Sequence, residues 1–333
     1  MKTQKSCIAL ITALVLTSVF AILPAASVLA KTFTLSYVSF VPLANKVEFQ
    51  LVKKGFIDKV NERAKGELVI NVRGGPEVIH PFELGVSVQR GVIDYALIPP
   101  AFFENLVPAA DSTKLSIYTA DEERKNGVYE YILEMYKKSG LYYLGRHATD
   151  PAFFFLFMNK RVEKPEDFKG LKLGGSTAFH GFYQELGCAL TTLPIPEYHS
   201  AMERGVVDGL TSSLYVALQF GLQDVTKYVI SPGFYRATPA HVINLNTWNS
   251  LPKHLQQLMT DCMAEFEKEY VVLERKERIL ALEKWKESGR EIIELSPEVA
   301  AWYLKAASEG SWKYAEKRFP GDVAPRLRER ITK

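Results

Sequence analysis

Cysteine is scarce in this chain, with three in 333 residues. Cys7 lies ahead of an apolar N-terminal run and does not form a lipobox. That leaves Cys188 and Cys262, too few for a disulfide framework and not at metal-ligand spacing. Two separately buried thiols are expected, with a pair formed in an oxidising compartment as the alternative. A charge excess is missing too. Lys and Arg number 41 against 38 Asp and Glu, a formal net charge of +3, so no field is set up to hold nucleic acid or a membrane surface. The phosphate loop G-x-x-x-x-G-K-[ST] and the dinucleotide turn G-x-G-x-x-G are both absent, and Gly174-Gly175-Ser176 is not a G-x-S-x-G elbow. The six histidines include no H-x-x-x-H or H-E-x-x-H arrangement. His147 lies near Asp150, and a serine could complete a triad only through the fold, a pattern that chance supplies in most chains of this length. No cofactor, metal or catalytic residue is therefore expected, and the absences favour binding over catalysis.

The N-terminus carries Lys2 and Lys5, then an apolar run from Ile8 to Leu23, then Pro24-Ala25-Ala26-Ser27-Val28-Leu29-Ala30. A basic start, an apolar centre and a small-residue end are those of a secretory signal cleaved after Ala30, with an uncleaved anchor as the alternative. No later segment is long and apolar enough to span a bilayer. The rest, about 300 residues, suffices for two lobes with separate cores.

Strand and helix patterns alternate through the first two thirds. TFTLSYVSF (32–40) and ELVINVR (67–73) read as strands, and Asn45–Ala64 reads as a helix with Phe49, Val52, Phe56, Ile57 and Val60 on one face. Further strands are expected at Ile93–Ile98, Leu141–Gly145, Ala152–Met158, Leu171–Leu173 and Val242–Leu245, and helices at Pro81–Arg90, Tyr129–Ser139 and Ala178–Gly187. From Pro252 to Arg290 a long charged helical pattern follows, and another covers Pro297–Arg318. The pattern predicts a mixed α/β fold with mainly parallel connections. Its expected organisation is a signal at 1–30, a first lobe mainly in 31–150, a second mainly in 151–245, and helices packing on both from 246 to 333.

One unit occurs twice. RGVIDYALIPP (Arg90–Pro100) and RGVVDGLTSSL (Arg204–Leu214) each close a helix with Arg-Gly, add an apolar pair and an Asp, and enter a strand. Two similarly wound lobes would leave a ligand cleft between them. In the second copy the hydroxyls Thr211, Ser212 and Ser213 follow, where an α/β protein places a ligand.

Five segments, in order, carry a family resemblance: KVNERAKGELVINVRGGPEV, RGVIDYALIPPAFFENLVPAAD, NKRVEKPEDFKGLKL, EYHSAMERGVVDG and NLNTWNSLPKHLQQLM. Nearly the whole chain after the signal resembles the solute-binding subunit of tripartite ATP-independent periplasmic (TRAP) transporters. The resemblance implies two α/β lobes joined by crossing strands and a hinge-spanning helix, closing on a small organic solute. It implies two membrane subunits as partners, a periplasmic location, and an ion gradient rather than ATP as the energy source. A monomer is expected, with a dimer as the alternative. A ligand sensor would use the same fold and cleft and stays open, as does, more remotely, a secreted hydrolase.

By motif register, Ser212 and Tyr215 line the cleft from the second lobe, and Phe234 closes it. Phe40 to Asn45, Pro76, Glu77 and Phe102 face it from the first. The sequence departs from the family pattern where it matters most. The arginine that directly follows G-L-K-[IL] in many members is Gly174 here, and a second arginine position, five before Asn159, holds Phe154. A buried carboxylate without a cation is costly. Either another cation serves, with Arg146 preferred over Arg73 and Lys172, or the ligand is not a simple carboxylate. The glycines and phenylalanines would suit a larger or aromatic ligand.

Overall fold

The computed structural model describes residues 31–147, 152–319 and 321–333. The proposed signal and Asp150 lie outside the described residues. Among the described residues, eleven strands form two sheets. They are β1 (Phe33–Ser39), β2 (Leu68–Gly74), β3 (Tyr95–Ile98), β4 (Leu141–Arg146), β5 (Phe154–Met158), β6 (Lys172–Gly175), β7 (Ala189–Thr192), β8 (Gly209–Ser213), β9 (Tyr228–Phe234), β10 (Ala240–Asn244) and β11 (Glu291–Glu294). The first sheet runs β2-β1-β3-β10-β4 and the second β11-β9-β5-β8-β6-β7.

Each sheet is buried on both faces, and strand alternation sorts its side chains between two cores. In β3, Tyr95 and Leu97 enter one core while Ala96 and Ile98 enter another. In β5, Leu156 and Met158 face one core and Phe155 and Phe157 the opposite one. Burial on both sides is why the run Phe153-Phe154-Phe155 is tolerated.

The connections are more mixed than the sequence pattern predicts. β1 lies parallel to β2 and β3, and β6 parallel to β7 and β8. β10, however, inserts antiparallel between β3 and β4, and β5 inserts antiparallel between β8 and β9. These antiparallel strands are those reached by the two crossings of the chain, after β4 and after β9. β10 lies within 151–245 yet belongs to the first sheet, and β11 returns from the helical third to the edge of the second. β7, β9 and β11 carry no strong alternation and are absent from the sequence reading.

The repeated unit has one structural role in both lobes. Gly91 and Gly205 adopt left-handed backbone angles (φ 72° and 67°) that end the preceding helices. Asp94 then accepts from the backbone N and Oγ of Ser36 in β1 at 2.9 and 2.7 Å. Asp208 accepts from the backbone N of Lys172 in β6 at 2.9 Å. Each aspartate ties the start of its strand to the parallel neighbour.

Two helices join the lobes. The 35-residue helix Lys253–Glu287 buries Met259, Phe266 and Tyr270 in a first-lobe core, and Ala281 and Trp285 in a second-lobe core. The indole N–H of Trp285 donates to the Leu214 carbonyl at 2.9 Å. The helix Pro297–Arg318 does likewise, with Tyr303 and Ala306 in the second lobe and Trp312 and Ala315 in the first. Cys188 and Cys262 are buried free thiols.

Candidate functional site

Between the lobes lies a cleft of about 370 Å³. Its first-lobe wall comes from the turn after β1, the start of the helix Pro81–Gln89 and the turn after β3. Its second-lobe wall comes from β5, the turn after β6, the Pro194–Pro196 turn and β8. The wall is overwhelmingly apolar. On one side Phe82 and Phe102 meet edge to face at 4.6 Å, with Phe40 beyond at 6.3 Å. On the other, Phe153 and Phe154 meet at 4.7 Å and Phe154 and Phe179 at 5.1 Å.

The three hydroxyls of β8 all line the cleft, inside the strand rather than in a loop after it. Thr211 Oγ1 shares a 2.7 Å hydrogen bond with the Tyr183 hydroxyl. Ser213 Oγ accepts from the backbone N of Val216 and caps the next helix. Ser212 stands between them.

Charged side chains are few. Lys114 donates to Asp111 at 2.5 Å and to the Ala178 carbonyl at 2.6 Å, and lies 4.7 Å over the Tyr235 ring. Arg236 follows β9 into the crossing, is half-buried, and donates from Nη1 to the Tyr118 carbonyl at 2.9 Å. Glu48 reaches the cleft from the opposite lobe. Its Oε2 lies 3.3 Å from His147 Nε2 and its Oε1 accepts from the Tyr215 hydroxyl at 3.4 Å. His147 Nδ1 lies 3.1 Å from His241 Nε2, and His241 Nδ1 meets the Tyr95 hydroxyl. Burial, with His147 alongside, holds the His241 imidazole well below its ordinary range, so it stays neutral. Burial pushes the Tyr215 phenol well up, so it remains a donor to Glu48. The helical stretch that carries Glu48 starts at Lys46 in π-helical turns, with Asn45 Oδ1 accepting from the Glu48 backbone N at 2.8 Å.

Residues 39–318 match the family model described as bacterial extracellular solute-binding protein, family 7. The chain belongs to this family. A solute-binding protein of Albidiferax ferrireducens is 22% identical over 269 residues, covering 78% of this chain and 79% of that one. A TRAP periplasmic solute-binding protein of Desulfovibrio salexigens, solved with orotic acid, superposes with a TM-score of 0.80 at 18% identity, over 90% of this chain and 98% of that one. An extracytoplasmic solute receptor of Bordetella pertussis that binds pyroglutamic acid gives 0.74 at 19% identity, over 91% and 100%. The two-lobe fold is thus shared, and solute capture is the role of this family 7 protein. Among its described residues no helix is long and apolar enough to cross a membrane.

Six of the residues singled out from the sequence converge on the cleft: Phe40, Asn45, Pro76, Phe102, Phe154 and Ser212. Five do not line it. Glu77 is exposed and turns back, its Oε1 accepting from the Gly75 backbone N at 2.7 Å. Tyr215 sits behind the wall, its ring 5.5 Å from Phe153 and its hydroxyl on Glu48. Phe234 is core, packed 4.4 Å from Phe182, and the neighbouring Tyr235 reaches the cleft instead. Gly174 lies inside β6, where a Cβ would come 3.0 Å from Leu193 Cδ1. Leucine thus occupies the space into which a side chain there would grow.

Arg146 is the clearest correction. It is 1% exposed and forked onto Glu123, with Nε–Oε2 at 3.0 Å and Nη2–Oε1 at 2.7 Å. Glu267 accepts from its backbone N at 3.1 Å and is itself forked by Arg124. This guanidinium is paired inside the first lobe and does not line the cleft. Arg73 and Lys172 are exposed and line no part of the cleft. The cations that do line it, Arg236 and Lys114, went unnoticed in the sequence. Lys114 carries no pattern there, and Arg236, two residues after Phe234, needed the end of β9 to be known.

Proposed function

We propose that this chain is the extracytoplasmic solute-binding subunit of a TRAP transporter, capturing an organic acid in the interlobe cleft and handing it to two membrane subunits. It acts in the periplasm after removal of the signal ahead of residue 31. It performs no covalent step: the solute is held by the guanidinium of Arg236, the hydroxyl of Ser212 and the aromatic walls. Closure follows from contacts that a bound solute makes with the second lobe only when the cleft shuts. The closed form is what the membrane subunits would engage.

One observation carries the reading. With Gly174 and Phe154 at the family's arginine positions, Arg236 still brings a positive charge to the cleft wall, where its Nη1 donates to the Tyr118 carbonyl. Calorimetric titration of the purified protein with a panel of organic acids tests it. At least one acid binds, and Arg236→Gln weakens that acid by about tenfold to a hundredfold, the worth of charged hydrogen bonds of about 1.5–3 kcal/mol. Binding confined to neutral or cationic solutes would refute it.

A further inference from the structure

Resting on that reading, we infer that Glu48 determines specificity: its carboxylate accepts a hydrogen bond from a hydroxyl that the organic acid carries away from its own carboxylate. Two carboxylates stand among the described residues of the cleft wall, Asp111 and Glu48. Asp111 has the Lys114 ammonium at 2.5 Å. Glu48 is 6% exposed and meets a histidine and a phenol instead. Both of those contacts are long. Oε2 lies 3.3 Å from His147 Nε2, and Oε1 lies 3.4 Å from the Tyr215 hydroxyl. Ordinary N–H···O and O–H···O bonds run to about 3.2 and about 3.0 Å.

The network behind Glu48 directs its hydrogens toward it. Burial keeps the Tyr95 phenol protonated, and it donates to His241 Nδ1. His241 then carries its hydrogen on Nε2 and gives it to His147 Nδ1 at 3.1 Å, which leaves the His147 Nε2–H facing Glu48. Tyr215, a phenol that burial also keeps protonated, donates to the other oxygen. Glu48 is thus the acceptor at the end of a buried chain. Its place is fixed by the 2.8 Å bond from its backbone N to Asn45 Oδ1. Each carboxylate oxygen keeps acceptor capacity. A buried carboxylate served by two long bonds gains most from a short one, and the cleft is where a new donor arrives.

A hydroxyl brings one hydrogen, which Glu48 takes up. An ammonium would match the charge but brings three donors into a lining that includes Val41, Pro42 and Phe153, where its loss of water costs far more. Like charge keeps the solute's carboxylate off Glu48 in so apolar a wall, so hydroxyl and carboxylate sit at opposite ends of the solute.

The test is calorimetric titration of the purified protein with matched acids: 6-hydroxyhexanoate and hexanoate, 3-(4-hydroxyphenyl)propionate and 3-phenylpropionate, and 6-aminohexanoate as the amine. In at least one pair the hydroxy acid is expected to bind about thirtyfold more tightly than its deoxy partner, because a site built around a solute hydroxyl rejects the analogue that lacks it. Glu48→Met should bring the hydroxy acid down to its deoxy partner's affinity and leave the deoxy acid's own affinity unchanged, which a merely structural role would not do. Glu48→Gln, which keeps an acceptor, should retain part of the preference, and it decides the matter if the methionine variant does not melt cooperatively. Deoxy acids binding as tightly as their hydroxy partners, or a preference undiminished in the Glu48 variants, would overturn the inference and leave organic-acid capture standing. Tighter binding of 6-aminohexanoate than of 6-hydroxyhexanoate would overturn the hydroxyl. Failure of every acid to bind would overturn the organic-acid reading with it.

Discussion

Arg146 shows how a residue's chemistry can be legible while its address is not. A guanidinium at the end of β4 is a sound candidate for an anion anchor until Glu123 is seen to fork onto it. Glu123 arrives from a helix 23 residues earlier in the chain, and nothing in the spacing announces the pair. Removing one partner of a buried pair leaves an uncompensated charge and costs about 3–5 kcal/mol. Glu123→Ala is therefore expected to lower the melting temperature sharply while ligand affinity in the remaining folded protein is unchanged; a large affinity loss would return Arg146 to the site. Beside the cleft, Glu104 is buried near Asp111, and loss of water with that neighbouring charge pushes its carboxyl up to about 7. The folded state thus binds this proton more tightly than the unfolded chain. Its stabilisation is full below the ordinary glutamate range and is lost as pH rises through about 7, at most about 3 kcal/mol at about 1.4 kcal/mol per pH unit. Melting curves of wild type and Glu104→Gln between pH 4.5 and 7.5 check this. The variant should lose less stability as pH rises, and parallel curves would contradict the assignment.

At the scale of elements, the periodic segments were the legible ones. The Asn45–Ala64 face, the paired Arg-Gly…Asp units and the Pro252–Arg290 pattern are local signals, and each emerges near its expected bounds. The short strand β7, the longer β9 and the edge strand β11 are made by pairing with distant neighbours, which one stretch of sequence does not encode. The hydroxyl row lines the cleft, but from inside a strand rather than from a loop after it, because Gly209 begins the strand instead of preceding it. The sequence also gave no sign that the helices His180–Leu186 and Pro297–Arg318 cross at glycine on glycine. A Cβ on Gly181 would lie 2.2 Å from the Gly310 carbonyl oxygen, and one on Gly310 would lie 2.4 Å from that of Gly181. Backbone meets backbone there, so Gly181→Ala must push the helices apart. Overpacking of this kind costs about 1–3 kcal/mol. Chemical denaturation should show the loss, and a neutral alanine would mean that the helices are not held this closely.

For the whole molecule, the two lobes, the crossings and the bridging helix follow from a family resemblance spread over five segments, and the structure adds a second bridging helix. The resemblance pointed to an interlobe cleft and showed that the family's two arginine positions are Gly174 and Phe154 here, which left the cleft's cation open. The cleft's charge comes instead from a crossing segment and a turn whose side chains converge only in the folded state. Contacts already span the lobes: Lys114 to the Ala178 carbonyl, Asn45 Nδ2 to Gln219 Oε1 at 3.3 Å, and Tyr215 to Glu48. The most direct measurement is mass spectrometry of whatever solute is released on denaturing protein purified from cells, since a closing cleft traps its ligand. The expected result is an organic acid. Release of a neutral or cationic solute would contradict the account at its centre.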